Sequence, residues 1–309
     1  MSAFAIETDG LTRVFRNRWA KTELRAVDDV SLRVPEGCTY GLLGANGAGK
    51  TTFVKMLLSS VHPTTGTARV FGRDSREPAA RRSIGYLPEN HRFPTYLTGW
   101  SMLDFYGALS GMSAAERSRK IPELLTVVGL DERAWHTRLG KYSKGMLQRV
   151  GLGQAMIHSP RLLVLDEPSD GVDPVGRKQI RDVLQGLERQ GVTIFLNSHL
   201  LSEVELFCRD VAIIRKGRLS LTGSVKELTA GSGYRVAASN VPERLVSALA
   251  ASAKAHNATT DTLELLFTTR TQANQAVDAL RAEHCEIESL GATRSTLEEV
   301  FIRTVSEGE

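Results

Sequence analysis

Hydrophobic and polar positions alternate in two stretches near the start of the chain, residues 4–15 and 26–34. Alternation of period two predicts half-buried strands, and two such runs predict an antiparallel pair. The polar, basic segment 16–25 between them is expected to be a loop. Thr39-Tyr40-Gly41-Leu42-Leu43 reads as a short buried strand, and residues 51–58 as a mostly buried helix. A turn at 63–67 leads to a short strand over 68–72. Ser83-Ile84-Gly85-Tyr86-Leu87 reads as a buried strand stopped by Pro88, with Glu89 just past its end. From 94 to 158 the period becomes helical. One amphipathic helix is expected over 98–109. A second is opened by the capping box Ser113-Ala114-Ala115-Glu116 and ends near Gly129, and a third over 143–156 stops before Pro160.

Leu162-Leu163-Val164-Leu165 is apolar without interruption, as expected of a strand buried on both faces in a parallel sheet. Residues 192–196 repeat that character. Residues 211–214 and 218–221 predict a hairpin around Lys216-Gly217, and Gly223 closes the domain. Farther on, strands are expected at 234–238, 263–267 and 287–290, with amphipathic helices over 242–255 and 271–284. The last helix is expected to open with a capping box, Ser295-Thr296-Leu297-Glu298, and to carry an apolar stripe of Leu297, Val300 and Phe301. The pattern therefore predicts an α/β domain over 1–223 with a helical insert at about 94–158, and a small two-layer α+β domain over 224–309.

The 309 residues suffice for one large or two domains. A net charge of +4 permits contact with an anionic lipid surface but does not argue for nucleic acid. Three scattered cysteines, Cys38, Cys208 and Cys285, lack metal-ligand spacing and are expected to be buried thiols in a reducing compartment. No signal peptide is visible, and no apolar run approaches the roughly 18 residues that span a bilayer. Any role at a membrane is expected to run through a partner.

The chemistry starts at Gly44-Ala45-Asn46-Gly47-Ala48-Gly49-Lys50-Thr51, which fits the P-loop pattern G-x-x-x-x-G-K-[ST] between a predicted strand and a predicted helix. Glycines let several backbone N–H groups converge on one anion. Lys50 supplies a charge for the β- and γ-phosphates, and Thr51 a hydroxyl for Mg²⁺. The helix N-terminus adds roughly half a positive charge below the phosphates. Asp166-Glu167 ends the apolar strand in the Walker B manner, Asp166 for Mg²⁺ and Glu167 to orient or deprotonate a water. Glu89 and His199 stand past the ends of two other strands, where open α/β sheets bind ligands. An exposed loop glutamate would look the same as Glu89. Phe15 and Trp19 are the two rings near the start that could stack on an adenine.

Together these motifs resemble the ATP-binding subunit of ABC transporters. The decisive piece is Tyr142-Ser143-Lys144-Gly145-Met146 with Gln148-Arg149, which is similar to the signature LSGGQ-x-Q-R and lies between the P-loop and Walker B. The resemblance covers residues 4–223 and implies a P-loop NTPase core with N-terminal antiparallel strands and a helical subdomain. It implies that Phe15 stacks on adenine and that Gly44, Asn46, Gly47, Ala48, Gly49, Lys50, Thr51 and Thr52 form Walker A. It also makes Glu89 the Q-loop residue, Asp166 the Mg²⁺ aspartate, Glu167 the catalytic glutamate and His199 the switch histidine. Residues 170–173 match the D-loop. Ser143 and Gly145 would meet the γ-phosphate held by a second subunit, so ATP with Mg²⁺ would be sandwiched in a homodimer or a paired ATPase. A separately encoded integral membrane permease is implied as partner, with the chain cytoplasmic and peripheral on the inner face of the membrane. The final segment, Ser295 to Phe301, is similar to the tail of ATPases that serve ABC-2-type exporters.

Three departures stand out. Glu89 replaces the usual glutamine, which loses an amide donor and gains a charge. Lys144 and Met146 replace a glycine and the glutamine of the signature. Val172 replaces a leucine. Every phosphate-facing group is retained. The rival reading, a soluble ABC ATPase acting on nucleic acid or ribosomes, is opposed by a single cassette, the absence of sustained heptads and the mild charge.

Overall fold

A computed structural model describes residues 4–17, 22–259 and 262–306, so Trp19 lies outside the described residues. β1 (Phe4–Asn17), β2 (Thr22–Val30) and β3 (Arg33–Pro35) open the chain. β4 (Thr39–Leu43) enters the glycine loop and α1 (Lys50–Leu57) leaves it, followed by β5 (Thr65–Val70), β6 (Arg73–Asp74), the one-turn α2 (Pro78–Arg81) and β7 (Ile84–Leu87). β1 pairs antiparallel with β2, β3 and β5, and β6 extends the sheet beyond β5. The β1–β2 ribbon runs into the segment expected to be loop. Phe15 lies opposite Leu24, and Arg16 opposite Glu23. Alternation could not reveal this tip, because its residues bury neither face: Leu24 is 66% exposed.

The helical stretch holds α3 (Gly99–Leu109), α4 (Ala114–Val127) and α5 (Lys144–Met156). Both hydrogen bonds of the Ser113/Glu116 capping box form, and Gly129 follows α4 with a φ of 71°. α3 has a capping box of its own, Thr98 with Ser101, that the sequence pattern did not advertise. β8 (Leu162–Asp166), α6 (Pro174–Arg189), β9 (Thr193–Asn197), α7 (Leu201–Phe207), β10 (Asp210–Arg215), β11 (Arg218–Ser224) and the short α8 (Val225–Leu228) complete this part of the chain. The hydrophobic pattern predicts no element between Asp173 and the strand at 192. The signal for α6 was Asp173-Pro174: the Asp173 carboxylate caps the helix by accepting from Gly176 N at 2.9 Å, and proline occupies the first helical turn.

A six-stranded sheet runs in the order β11-β10-β4-β9-β8-β7, parallel except for the edge strand β11. β4, β8 and β9 are buried at every position, which is why their sequences are apolar runs and do not alternate. Their carboxyl ends are adjacent. The loop after β4, Asp166 at the end of β8 and Asn197 at the end of β9 are therefore neighbours, with Asp166 and Asn197 in register.

The chain divides into two compact units, residues 1–225 with 304–309, and 226–303. The second unit has the order β12 (Ala230–Ser239), α9 (Glu243–Ser252), β13 (Ala255–Ala258), β14 (Thr262–Phe267), α10 (Arg270–Ala282), β15 (Glu286–Arg294) and α11 (Leu297–Ser306) as far as Arg303. Its antiparallel sheet runs β13-β14-β12-β15, a split βαβ arrangement. Val236, Leu263, Leu265 and Phe267 pack with Leu249, Ala273, Val277 and Leu280 as its core.

Two expectations are corrected here. The helix expected to reach Ala255 stops at Ser252, and the wholly exposed edge strand β13 follows, with no apolar face to betray it. The last capping box is shifted by one residue: Thr296 Oγ1 accepts from Glu299 N at 3.1 Å, and Thr296 N donates to Glu299 Oε2 at 3.2 Å. Ser295 cannot cap through its own N–H in the same way, because that group already donates to Thr229 O at 3.0 Å. Leu297 and Val300 are buried, whereas Ile302 is 56% exposed.

All three cysteines are free and buried. Burial pushes the Cys38 thiol up to about 11 and raises Cys208 further, so neither forms thiolate near neutrality. In native protein treated with a thiol-reactive chromogen at pH 7, Cys38 and Cys208 should therefore be labelled only on denaturation. Rapid labelling of Cys38 or Cys208 in the folded state would contradict this packing.

Candidate active site

The P-loop is shaped by how closely other backbone approaches it. Gly49 has a φ of 109°, and a Cβ there would stand 2.1 Å from Ala26 O. A Cβ at Gly44 would stand 2.5 Å from Ile214 O. Gly217 N donates to Ala48 O at 2.9 Å, and Asp28 N to Gly217 O at 2.8 Å. The loop is thus clamped between β2 and the β10–β11 turn. Lys50 is 8% exposed, and its Nζ donates to Gly44 O at 2.6 Å and Ala45 O at 3.3 Å, curling back over its own loop. Burial lowers its pKa, while Glu167, Asp166 and Glu89 oppose that shift.

Opposite the loop stand the two carboxylates that end β8. Asp166 is 2% exposed, and burial pushes its pKa up to about 6. A hydrogen bond from Asn197 counters that rise, and the charges of Glu89 and Glu167 add to it. Glu167 takes a φ of 52°, in the left-handed region that non-glycine residues rarely adopt, so its side chain leaves the line of the strand. Its backbone is fixed on both sides: N donates to Asn197 O at 2.9 Å, and O accepts from Gln148 Nε2 at 3.2 Å. Oε1 accepts from the His199 N–H at 2.8 Å and lies 2.7 Å from His199 Nδ1, while Oε2 accepts from Ser198 Oγ at 3.0 Å. The residues after β9 therefore hold both oxygens of a buried carboxylate at the cleft wall, the geometry a base needs to act on a water.

The cleft between these walls has a volume of about 630 Å³. Phe15, Asn46, Gly47, Ala48, Gly49, Lys50, Thr51, Thr52, Glu89, Asp166, Glu167 and His199 all line it. Gly44 lies behind the lining. Leu24, Arg25, Ala26, Asn197, Lys216 and Gly217 also line it and were not singled out by the sequence. Leu24 could have been found from Phe15 once the ribbon register was known; Asn197 belongs to no motif. Phe15 is 38% exposed, with the Arg13 guanidinium 4.6 Å from its ring centroid.

Ser143 and Gly145 are not brought into this cleft. Ser143 is exposed at the start of α5, where its Oγ accepts from Met146 N at 3.3 Å. Lys144, in place of a glycine, pairs with Asp170 at 2.8 Å across Gly171. Both side chains are more than half exposed, so this pair adds little stability. What ties the signature helix to Walker B is the buried Gln148 contact with the Glu167 carbonyl.

Among the described residues no group of three or more His, Cys, Asp or Glu side chains could hold a metal ion alone. Thr51, Glu89 and Asp166 nevertheless offer hard oxygen donors beside the P-loop, and burial together with the charges of Glu89 and Glu167 raises the pKa of Asp166. That donor set fits Mg²⁺ bound through one or two carboxylates together with substrate phosphates.

A family model for ABC transporters matches residues 27–170. An ABC transporter ATP-binding protein of Synechocystis is 36% identical, over 99% of this chain and 86% of that protein. The daunorubicin/doxorubicin resistance ATP-binding protein DrrA of Streptomyces peucetius is 34% identical, over 96% of this chain and 91% of its own length. A dimeric ATP-binding cassette solved in a post-hydrolysis state with ADP and Pi shares the fold, with a TM-score of 0.66 at 20% identity over 71% of this chain and 98% of that one.

Proposed function

The chain belongs to the ATP-binding proteins of ABC transporters, and from that premise we propose that it hydrolyses ATP to drive a separately encoded membrane permease that exports its cargo. The observation that carries the reading is the single cleft that gathers Lys50, Thr51, Asp166, Glu167 and His199 from the ends of adjacent parallel strands. Phe15 stacks on the base, and the P-loop N–H groups with Lys50 hold the β- and γ-phosphates. Thr51, Asp166 and Glu89 would hold Mg²⁺, which would supply charge neutralisation at the phosphates. Glu167 takes the proton of the attacking water, and His199 sits at the γ-phosphate.

The exposed start of α5, with Ser143 and Gly145, supplies the missing wall to a second copy of the chain, so the competent unit is a nucleotide-bound dimer. Export is the direction supported by the likeness to DrrA over nearly the whole chain. No helix among the described residues is long and apolar enough to cross a membrane, which agrees with a permease on another chain. The helical insert is its docking region: Phe105 and Leu109, one turn apart on α3, are 52% and 67% exposed.

The test is affinity purification of the tagged chain from detergent-solubilised membranes. An integral membrane protein should co-purify, and joint reconstitution should couple Mg²⁺-ATP hydrolysis to transport. A chain that fractionates with ribosomes and without membrane protein would favour the rival. Glu89 gives a finer check. Glu89→Gln keeps a side-chain oxygen and should be tolerated, whereas Glu89→Ala should reduce transport in vesicles more than ATP affinity. Parental transport by the Ala variant would remove Glu89 from the coupling path.

A further inference from the structure

Asn197 ends β9 in register with Asp166, is 2% exposed and lines the cleft. Its Nδ2 donates to Asp166 Oδ1, and among the described residues it is the one side chain hydrogen-bonded to that carboxylate. Electrostatics dictates the amide's orientation, because turning it over would set an amide oxygen against a carboxylate oxygen. The consequence appears on the other side of the amide: Asn197 Oδ1 is buried and, among the described residues, accepts from no donor. An unpaired buried acceptor is destabilising. The rest of β9, Thr193-Ile194-Phe195-Leu196, is buried and mostly apolar, so stability alone would favour an apolar residue at its end.

We infer that Asn197 is a positioning residue for the nucleotide-bound Mg²⁺: by engaging Oδ1 of Asp166 it fixes that carboxylate in one orientation and leaves Oδ2 as the oxygen free for the cation. The inference rests on the reading of Asp166 as a Mg²⁺ ligand. Mg²⁺ demands near-ideal octahedral geometry and tolerates a swinging ligand poorly. Outer partners that orient metal ligands are commonly worth about 10–100-fold in metal affinity.

The test measures ATP affinity by calorimetry in EDTA and across a Mg²⁺ titration, for the parent, Asn197→Leu, Asn197→Ser and Asp166→Ala, with thermal melting as the folding control. Asn197→Leu should bind ATP in EDTA like the parent but need about 10–100-fold more Mg²⁺ to reach the Mg²⁺-dependent affinity. Asn197→Ser, which keeps a shorter donor, should fall between the two and serves if the leucine variant folds poorly. Two results would overturn the inference while Asp166→Ala loses its Mg²⁺ dependence. One is a parental Mg²⁺ requirement in both folded Asn197 variants. The other is an equal loss of ATP affinity with and without Mg²⁺, which would mean general damage to the cleft. If Asp166→Ala itself keeps the parental Mg²⁺ dependence, the assignment of Asp166 fails, and the inference with it.

Discussion

Glu167→Gln should bind ATP as the parent does and hydrolyse it about 10²–10⁴-fold more slowly, or roughly 3–5 kcal/mol of lost transition-state stabilisation. The side chain keeps its volume in a site only 7% exposed, so the cleft keeps its shape. What disappears is the capacity to take a proton. The carboxylate faces three groups, the His199 N–H, His199 Nδ1 and Ser198 Oγ. An amide carries no charge, so those contacts lose their charge assistance and the melting temperature should fall slightly. On the proposed reading hydrolysis separates two nucleotide-bound copies, so the variant should accumulate as an ATP-bound dimer on size exclusion. Turnover at the parental rate would strip Glu167 of its role as base.

Ser143→Arg should leave ATP binding to the single chain nearly intact and reduce hydrolysis at least ~10²-fold, the scale of losing a preorganised donor to the transferring phosphate. The physical reason is distance from the chain's own nucleotide cleft. Ser143 does not line it, so an arginine there disturbs neither Lys50 nor Phe15. Arginine does remove the hydroxyl that caps α5, and it places bulk on the face proposed to meet the γ-phosphate held by a second copy. Loss of ATP affinity in the isolated variant, with hydrolysis per bound ATP unchanged, would contradict the assignment.

The parts of this site that were legible in the sequence are those where burial or backbone geometry restricts residue choice. Fully buried parallel strands are mostly apolar, so β4, β8 and β9 announced themselves, and Asp166 and Asn197 stand at the carboxyl ends where ligands bind. Gly44 and Gly49 were legible because carbonyl oxygens of β10 and β2 leave no room for a side chain. Asn197 was not, because its role comes from a neighbour 31 positions away across a parallel ladder and leaves no periodic trace. Leu24 and β13 escaped for a different reason. Both are exposed, and exposed strands carry no hydrophobic alternation. The misplaced final capping box shows the limit of local motifs: a ladder bond from Ser295 to Thr229 decided which of two adjacent hydroxyl residues would cap.

The central claim is that each ATP is hydrolysed between the P-loop of one chain and the signature of another, and complementation tests it most directly. Lys50→Ala and Ser143→Arg proteins, each nearly inactive alone, are mixed in equal amounts with Mg²⁺-ATP and the phosphate released is measured. A mixed dimer joins the intact P-loop of one chain to the intact signature of the other, and its second site carries both defects. Random pairing in a two-fold dimer makes half the dimers mixed, so about a quarter of the parental rate should return. A mixture no more active than its components, while both variants still dimerise with ATP, would contradict the shared site, as would a Ser143→Arg protein that hydrolyses ATP at the parental rate by itself.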